Sequence, residues 1–161
     1  MSAAPLSKRI LIVDDETTLA FFLRRDLQEA VPHYQVDIAS SGEEALTKLT
    51  YSPCDLLITD LNMPGISGFT LVEVARSLYP KVQVILMTAY GSQEVRDETN
   101  KLKVQGFFVK PFPTAELRDC ACDILINGQS RALVVDQVAA SVGAGSGADS
   151  GIDRGAASGT D

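Results

Sequence analysis

Four short apolar runs in this chain each end on a residue of the kind that does chemistry. Ile10-Leu11-Ile12-Val13 leads into Asp14-Asp15, and Leu56-Leu57-Ile58-Thr59 into Asp60. Val84-Ile85-Leu86-Met87 leads into Thr88, and Phe107-Phe108-Val109 into Lys110. Short continuous apolar runs suit strands buried on both faces, as in a parallel sheet. In an open parallel sheet, ligands bind at the carboxyl ends of the strands. Three carboxylates, a hydroxyl and an ammonium are therefore expected on one rim, a setting suited to a divalent cation and a phosphoryl group.

Helical patterns fill the intervals. Thr17 to Ala30 carries Leu19, Phe22, Leu23, Leu27 and Ala30 on one stripe, closed by Pro32 and His33. Tyr34 to Ala39 alternates polar and apolar residues, as a half-polar strand would. Ser40 or Ser41 caps a second helix that has Glu43 and Glu44 in its first turn. After Asp60, Asn62-Met63-Pro64-Gly65 predicts a turn, then a helix from Gly68 to Tyr79 stopped by Pro80. Gln93 to Lys103 is mostly polar, with Val95 and Leu102 as its few apolar anchors, and is expected to be the loosest helix. Pro113 to Asn127 is the last, with Pro113 at its start and Gly128 just past its end. Five strand–helix repeats with short links predict an α/β fold, a (βα)5 doubly wound parallel sheet covered by helices on both sides.

The expected organisation is one domain over residues 7–127 and an extension over 128–161. Within the extension, Ala132-Leu133-Val134-Val135 and Val138 form one further short helix or lengthen the last one, and the pattern leaves both open. From Ala139 onward Gly, Ala and Ser dominate without periodicity, which predicts a disordered tail. Gly143-Ala144-Gly145-Ser146-Gly147 superficially suggests a phosphate loop but lacks a strand-and-helix frame.

A net charge of −7, fairly evenly spread, argues against binding nucleic acid through the domain as a whole. Cys54, Cys120 and Cys122 are an odd, uneven set, and Cys120 and Cys122 would point to nearly opposite faces of a helix, so they share no metal. They read as ordinary thiols of a reducing cytoplasm. The apolar run after Lys8-Arg9 is too short for a signal peptide or a membrane span, so the expected location is cytoplasmic, without membrane insertion. His33, the single histidine, has no partner at metal-ligand spacing and is expected in a loop.

On the rim, adjacent Asp14 and Asp15 repel one another, and Asp60 adds to the repulsion. A hard cation such as Mg²⁺ resolves it, since it takes oxygen ligands and one or two carboxylates. One of the adjacent pair would face the metal and the other act through water. The simpler alternative is that each acid caps the helix after it, as Asp15 would for the helix from Thr17. A carboxylate beside Mg²⁺ is also a competent nucleophile. Lys110 supplies a point charge for a phosphoryl oxygen, and Thr88 a hydroxyl and an N–H for another. The Lys110-Pro111 bond, cis or trans, fixes how the lysine stem enters.

Val13-Asp14-Asp15-Glu16, Thr59-Asp60-Leu61-Asn62-Met63-Pro64-Gly65, Met87-Thr88-Ala89-Tyr90 and Val109-Lys110-Pro111-Phe112 resemble the motifs of response-regulator receiver domains, including chemotaxis-regulator-like members. All four stand in order, and the similarity covers about residues 7–127. The resemblance implies a flavodoxin-like fold with strand order 2-1-3-4-5. It implies a phosphoacceptor of a two-component or phosphorelay system. Asp60 would accept a phosphoryl group from a phosphohistidine on a sensor histidine kinase or histidine phosphotransfer protein. Asp15, Asp60 and the Asn62 backbone carbonyl would hold Mg²⁺, with Asp14 acting through water, while Thr88 and Lys110 bind phosphoryl oxygens. The switch would run through Thr88 and Phe107 to a face built from the fourth helix, fifth strand and fifth helix, where a downstream protein binds. Phe107 stands where Tyr is commonest, and Lys103-Val104-Gln105-Gly106 departs from the usual Ala-Gly-Ala run. Asn62 and Tyr90 would line the path of hydrolytic water, and a bulky Tyr90 implies a longer phosphoryl lifetime than the fastest members have.

Two other functions compete. A haloacid-dehalogenase-type phosphatase also uses an aspartyl nucleophile, but it usually places an acid where Asn62 stands and needs a cap. A pseudo-receiver adaptor would keep the fold and leave phosphorylation idle, which the intact set of Asp14, Asp15, Asp60, Thr88 and Lys110 argues against. The 34 residues after Asn127 are expected to be too few and too acidic for a DNA-reading output domain. The expected role is a signalling module, catalytic only in its own phosphorylation and dephosphorylation.

Overall fold

The computed structural model describes residues 8–128 together with Val134–Val135. Strands β1 (Arg9–Val13), β2 (Gln35–Ala39), β3 (Leu56–Asp60), β4 (Gln83–Thr88) and β5 (Gly106–Val109) alternate with helices α1 (Thr17–Ala30), α2 (Gly42–Tyr51), α3 (Gly68–Leu78), α4 (Gln93–Leu102) and α5 (Thr114–Asn127). All strand pairs are parallel, in the order β2-β1-β3-β4-β5, as the flavodoxin-like expectation requires. Val134 and Val135, expected in a short helix or in an extension of the last one, are not helical. Val134–Val135 instead pairs with β5 as a sixth strand, β6. Two β-branched residues favour an extended backbone, and β5 offers an unpaired edge to receive them. The tail beyond, including the glycine-rich Gly143–Gly147 stretch, lies outside the described residues.

Alternation along the strands divides the core in two. Ile10, Ile12, Ile58, Ile85, Met87 and Phe108 face α1 and α5, where Leu23, Leu27, Leu117 and Ile124 meet them. Leu11, Val13, Leu57, Val84, Leu86, Phe107 and Val109 face the other side, against Leu49, Leu71, Val72 and Ala75 of α2 and α3. β1 and β3 are buried along their whole length, as their unbroken apolar runs predict. On α1 the buried stripe runs through Ala20, Leu23 and Leu27, whereas Phe22 and Ala30, expected within it, lie toward solvent. α4 is the sparsest helix: only Thr99 is buried on it, and the Thr99 hydroxyl has no hydrogen-bond partner among the described residues.

The helix starts follow capping chemistry. Ser41 accepts from Glu44 N–H at 3.1 Å, and Ser40 donates its N–H and hydroxyl to the Glu44 carboxylate. Those bonds, with help from Lys48, hold the Glu44 carboxyl below its ordinary value. Pro113 occupies the cap position of α5 rather than its first turn. Gly128 closes α5 in the left-handed region at φ 62°. Among the described residues, no helix is long and apolar enough to cross a membrane. Exposed His33 lies in the turn after α1. Cys54 and Cys120 are buried and Cys122 half-buried, and burial pushes the Cys54 thiol up to about 12.

Candidate phosphoacceptor site

Because all the strands run the same way, their carboxyl ends share one rim. Asp14 follows the last residue of β1, Asp60 ends β3, Thr88 ends β4, and Lys110 follows β5. Carboxylate oxygens of Asp14, Asp15 and Asp60 all lie within 4.8 Å of one another. Asp14 and Asp60 are buried while Asp15 is exposed. Adjacent residues leaving a strand point to opposite sides, so only one of the pair can turn inward.

Lys110 ties the cluster together. Its Nζ donates to Asp14 Oδ2 at 2.8 Å and to Asp60 Oδ2 at 3.2 Å, and lies 3.5 Å from Glu16 Oε2. The remaining carboxylate oxygens hold the loops: Asp14 Oδ1 accepts from Glu16 N–H and Asp60 Oδ1 from Asn62 N–H. Asp14 therefore anchors the turn into α1, while Glu16 takes the cap position and neither Asp15 nor Glu16 caps by side chain. The capping alternative fails for Asp15.

Burial pushes the Asp14 carboxyl up to about 6, against the hydrogen bonds from Lys110 and Glu16 and the Lys110 charge, with repulsion from Asp60 adding to the rise. For Lys110, burial works to lower the ammonium, but the hydrogen bonds and charges of Asp14 and Asp60 outweigh it and hold it above its ordinary value. One cation among four acids leaves the cluster short of positive charge. An all-oxygen donor set in that condition fits a hard divalent ion.

Thr88 meets the site through Asn62, not through Asp60. Its buried Oγ1 accepts from Asn62 Nδ2 at 2.8 Å and from Tyr90 N–H at 3.1 Å, and donates to Tyr90 O at 3.2 Å. The Tyr90 side chain is exposed. Phe107 stands apart from the acids, buried on the α4 side of the sheet with the Arg96 guanidinium 5.9 Å from its ring centre. The Lys110-Pro111 bond is cis.

Three contributors escaped the sequence reading. Glu16 joins the lysine's ring of acids. Glu43 reaches from α2 to accept from Ile66 N–H at 3.3 Å, bracing the loop after Asp60. Gly68 opens α3 directly against β3, and a Cβ there would collide with the Asp60 carbonyl oxygen and Leu61. Glu16 and Glu43 act across segments far apart in sequence, and the Gly68 contact depends on how the loop after Asp60 folds back on β3, so no local pattern signals them.

Residues 10–121 match the response regulator receiver domain family. The chain is 32% identical over 114 residues to sporulation initiation phosphotransferase F of Bacillus subtilis, covering 71% of this chain and 90% of that protein. It is 37% identical over 112 residues to sensor histidine kinase TmoS of Ectopseudomonas mendocina, but spans only 11% of that longer protein. Among solved structures it resembles a CheY-like receiver domain protein of Methanospirillum hungatei (29% identity, TM-score 0.68, 74% of this chain and 94% of that one). It also resembles the response regulator TrrA of Thermotoga maritima, solved in complex with Mg²⁺ and BeF (37% identity, TM-score 0.62, 73% and 98%). With the five-stranded order, the clustered acids and the lysine in place, this chain belongs to the response regulator receiver domain family of two-component signalling.

Proposed function

We propose that Asp60 is a phosphoacceptor that takes a phosphoryl group from a phosphohistidine on a sensor histidine kinase or histidine phosphotransfer protein. The observation that carries this reading is the Lys110 ammonium spanning Asp14 and Asp60 beside a third carboxylate. In the reaction an Asp60 oxygen bonds to phosphorus as the phosphorus–nitrogen bond breaks, and the leaving imidazole keeps the electron pair and takes a proton from solvent. Mg²⁺, held by Asp15, Asp60 and the Asn62 carbonyl with Asp14 acting through water, would supply charge neutralisation for the transferred oxygens. Lys110 keeps the Asp60 carboxylate oriented and is placed to follow a phosphoryl oxygen. Thr88 exchanges its present partners for another oxygen.

The output is a change in protein binding at the face of α4, β5 and α5, with Thr88 and Phe107 linking it to the site. Asn62 and Tyr90 flank the path of hydrolytic water and set the phosphoryl lifetime. The role is signalling in the cytoplasm, with one phosphoryl group consumed per chain and no turnover of small phosphoesters.

Incubation with acetyl phosphate and Mg²⁺, followed by intact mass and site mapping, tests the reading. Wild type is expected to gain one phosphoryl group at Asp60 only when Mg²⁺ is present, and Asp60→Asn none. Labelling elsewhere, or steady release of phosphate from small phosphoesters, sinks it.

A further inference from the structure

The outer edge of β5 carries a strand of the chain's own. β6 runs parallel to it, with Phe107 opposite Val134 and Phe108 opposite Val135. Lys110, just past the strand, directs its N–H inward in register, to Thr88 O on the β4 side at 2.8 Å. Two-residue alternation then turns the amides of Phe107 and Val109 toward the outer edge. A row of such groups is a template for an added strand. The occupant is close at hand, because only residues 129–133 separate Gly128, at the end of α5, from Val134. Tethering that short gives the segment a high effective concentration at the edge. A two-residue pairing is nonetheless held by few hydrogen bonds and is easily displaced.

β5 is also coupled to the phosphoacceptor rim by direct contacts. The Thr88 hydroxyl has one proton, and it is committed to Tyr90 O. Donating to a phosphoryl oxygen breaks that bond and frees the Tyr90-Gly91 backbone. Gly91 is packed so tightly on β5 that a Cβ there would lie 2.7 Å from Val109 Cγ2. The Gly91 carbonyl accepts from Arg96 Nε at 3.1 Å, and that guanidinium stands over the Phe107 ring. Movement at Thr88 is thus delivered to Val109 and Phe107, and Phe107 is the residue paired with Val134.

We propose that the outer edge of β5 is a strand-docking surface which the chain's own Val134–Val135 segment occupies, and that a phosphoryl group at Asp60 releases it. The inference rests on the phosphoacceptor reading. Because such coupling is reciprocal, anything that detaches β6 tightens binding at the phosphoryl site.

The test compares the full chain with a full-length Val134→Pro, Val135→Pro variant, which cannot pair in this register. Two measurements are made: affinity for beryllofluoride with Mg²⁺, and amide exchange at Phe107. The variant is expected to bind beryllofluoride about fivefold tighter or more, the low end of common coupling strengths. Phe107 is expected to exchange faster in the variant, and in the wild type once beryllofluoride is bound. Equal affinities with unchanged Phe107 exchange overturn the inference and leave the phosphoacceptor reading standing. Loss of Phe107 protection on dilution, with a dimer dissociating by light scattering, also overturns it, since the strand then comes from a second copy. If neither chain binds beryllofluoride, the phosphoacceptor reading fails and this inference falls with it.

Discussion

Replacing Asp14 by Asn should stabilise the metal-free fold while disabling its chemistry. The Asp14 side chain is fully buried, and its carboxyl sits at about 6 in the folded chain against 3.8 for an ordinary aspartate. Above both values, ionised Asp14 costs the fold about 3 kcal/mol, at ~1.4 kcal/mol per pH unit of difference. Asn removes that cost but loses one acceptor, since its single carbonyl cannot serve both Glu16 N–H and Lys110, which returns about 1 kcal/mol. The expected net gain is about 1 to 2 kcal/mol at neutral pH, or several degrees in melting temperature. The folded group holds its proton more tightly than the unfolded one, so the wild type loses stability as pH rises from about 4 to about 6. The advantage of Asp14→Asn should accordingly shrink by about 2 kcal/mol between roughly pH 7.5 and pH 4.5. Urea unfolding of both chains in EDTA at the two pH values measures this. Adding millimolar Mg²⁺ should then raise the stability of the wild type more than that of the variant. A variant less stable than wild type at neutral pH, or a gap that ignores pH, refutes the electrostatic argument.

Tyr90→Glu is expected to speed loss of the phosphoryl group, followed by phosphate release after acetyl phosphate is removed; an unchanged rate means that this exposed side chain does not shield the site. Gly68→Ala should push the Asp60 backbone away from its place and cost about 1 to 3 kcal/mol of stability, with phosphorylation slowed beyond what unfolding explains. Wild-type stability in chemical denaturation would remove Gly68 from the set of positioning residues. Leu57→Ala, at a fully buried site of the central strand, should cost about 3 kcal/mol by the same measurement without changing the phosphorylation rate of the folded fraction.

Much of this molecule is legible in one dimension because its strands are buried on both faces. Burial forces each strand to be a short unbroken apolar run, so Ile10–Val13, Leu56–Thr59 and Val84–Met87 announce themselves, and the residue after each run falls on the rim. Parallel direction then brings Asp14, Asp60, Thr88 and Lys110 to one edge whatever the side-chain details. The strand at Val134–Val135 was not legible, because a run as short as Ala132-Leu133-Val134-Val135 does not separate strand from helix by periodicity. Their conformation comes from the edge of β5, not from their neighbours in sequence.

The amino-acid order by itself determined the (βα)5 alternation, the rim and the chemical types gathered there, since local hydrophobic periodicity and strand ends suffice for that. Only the tertiary structure decided that Asp14 turns inward and Asp15 outward, and that Lys110 reaches Asp14 across 96 positions of chain. It also decided that Asn62 holds the Thr88 hydroxyl and that Gly68 must lack a side chain. Those facts depend on register, on how loops fold back and on the close approach of chain segments, and packing distances of a few ångströms leave no trace in local pattern.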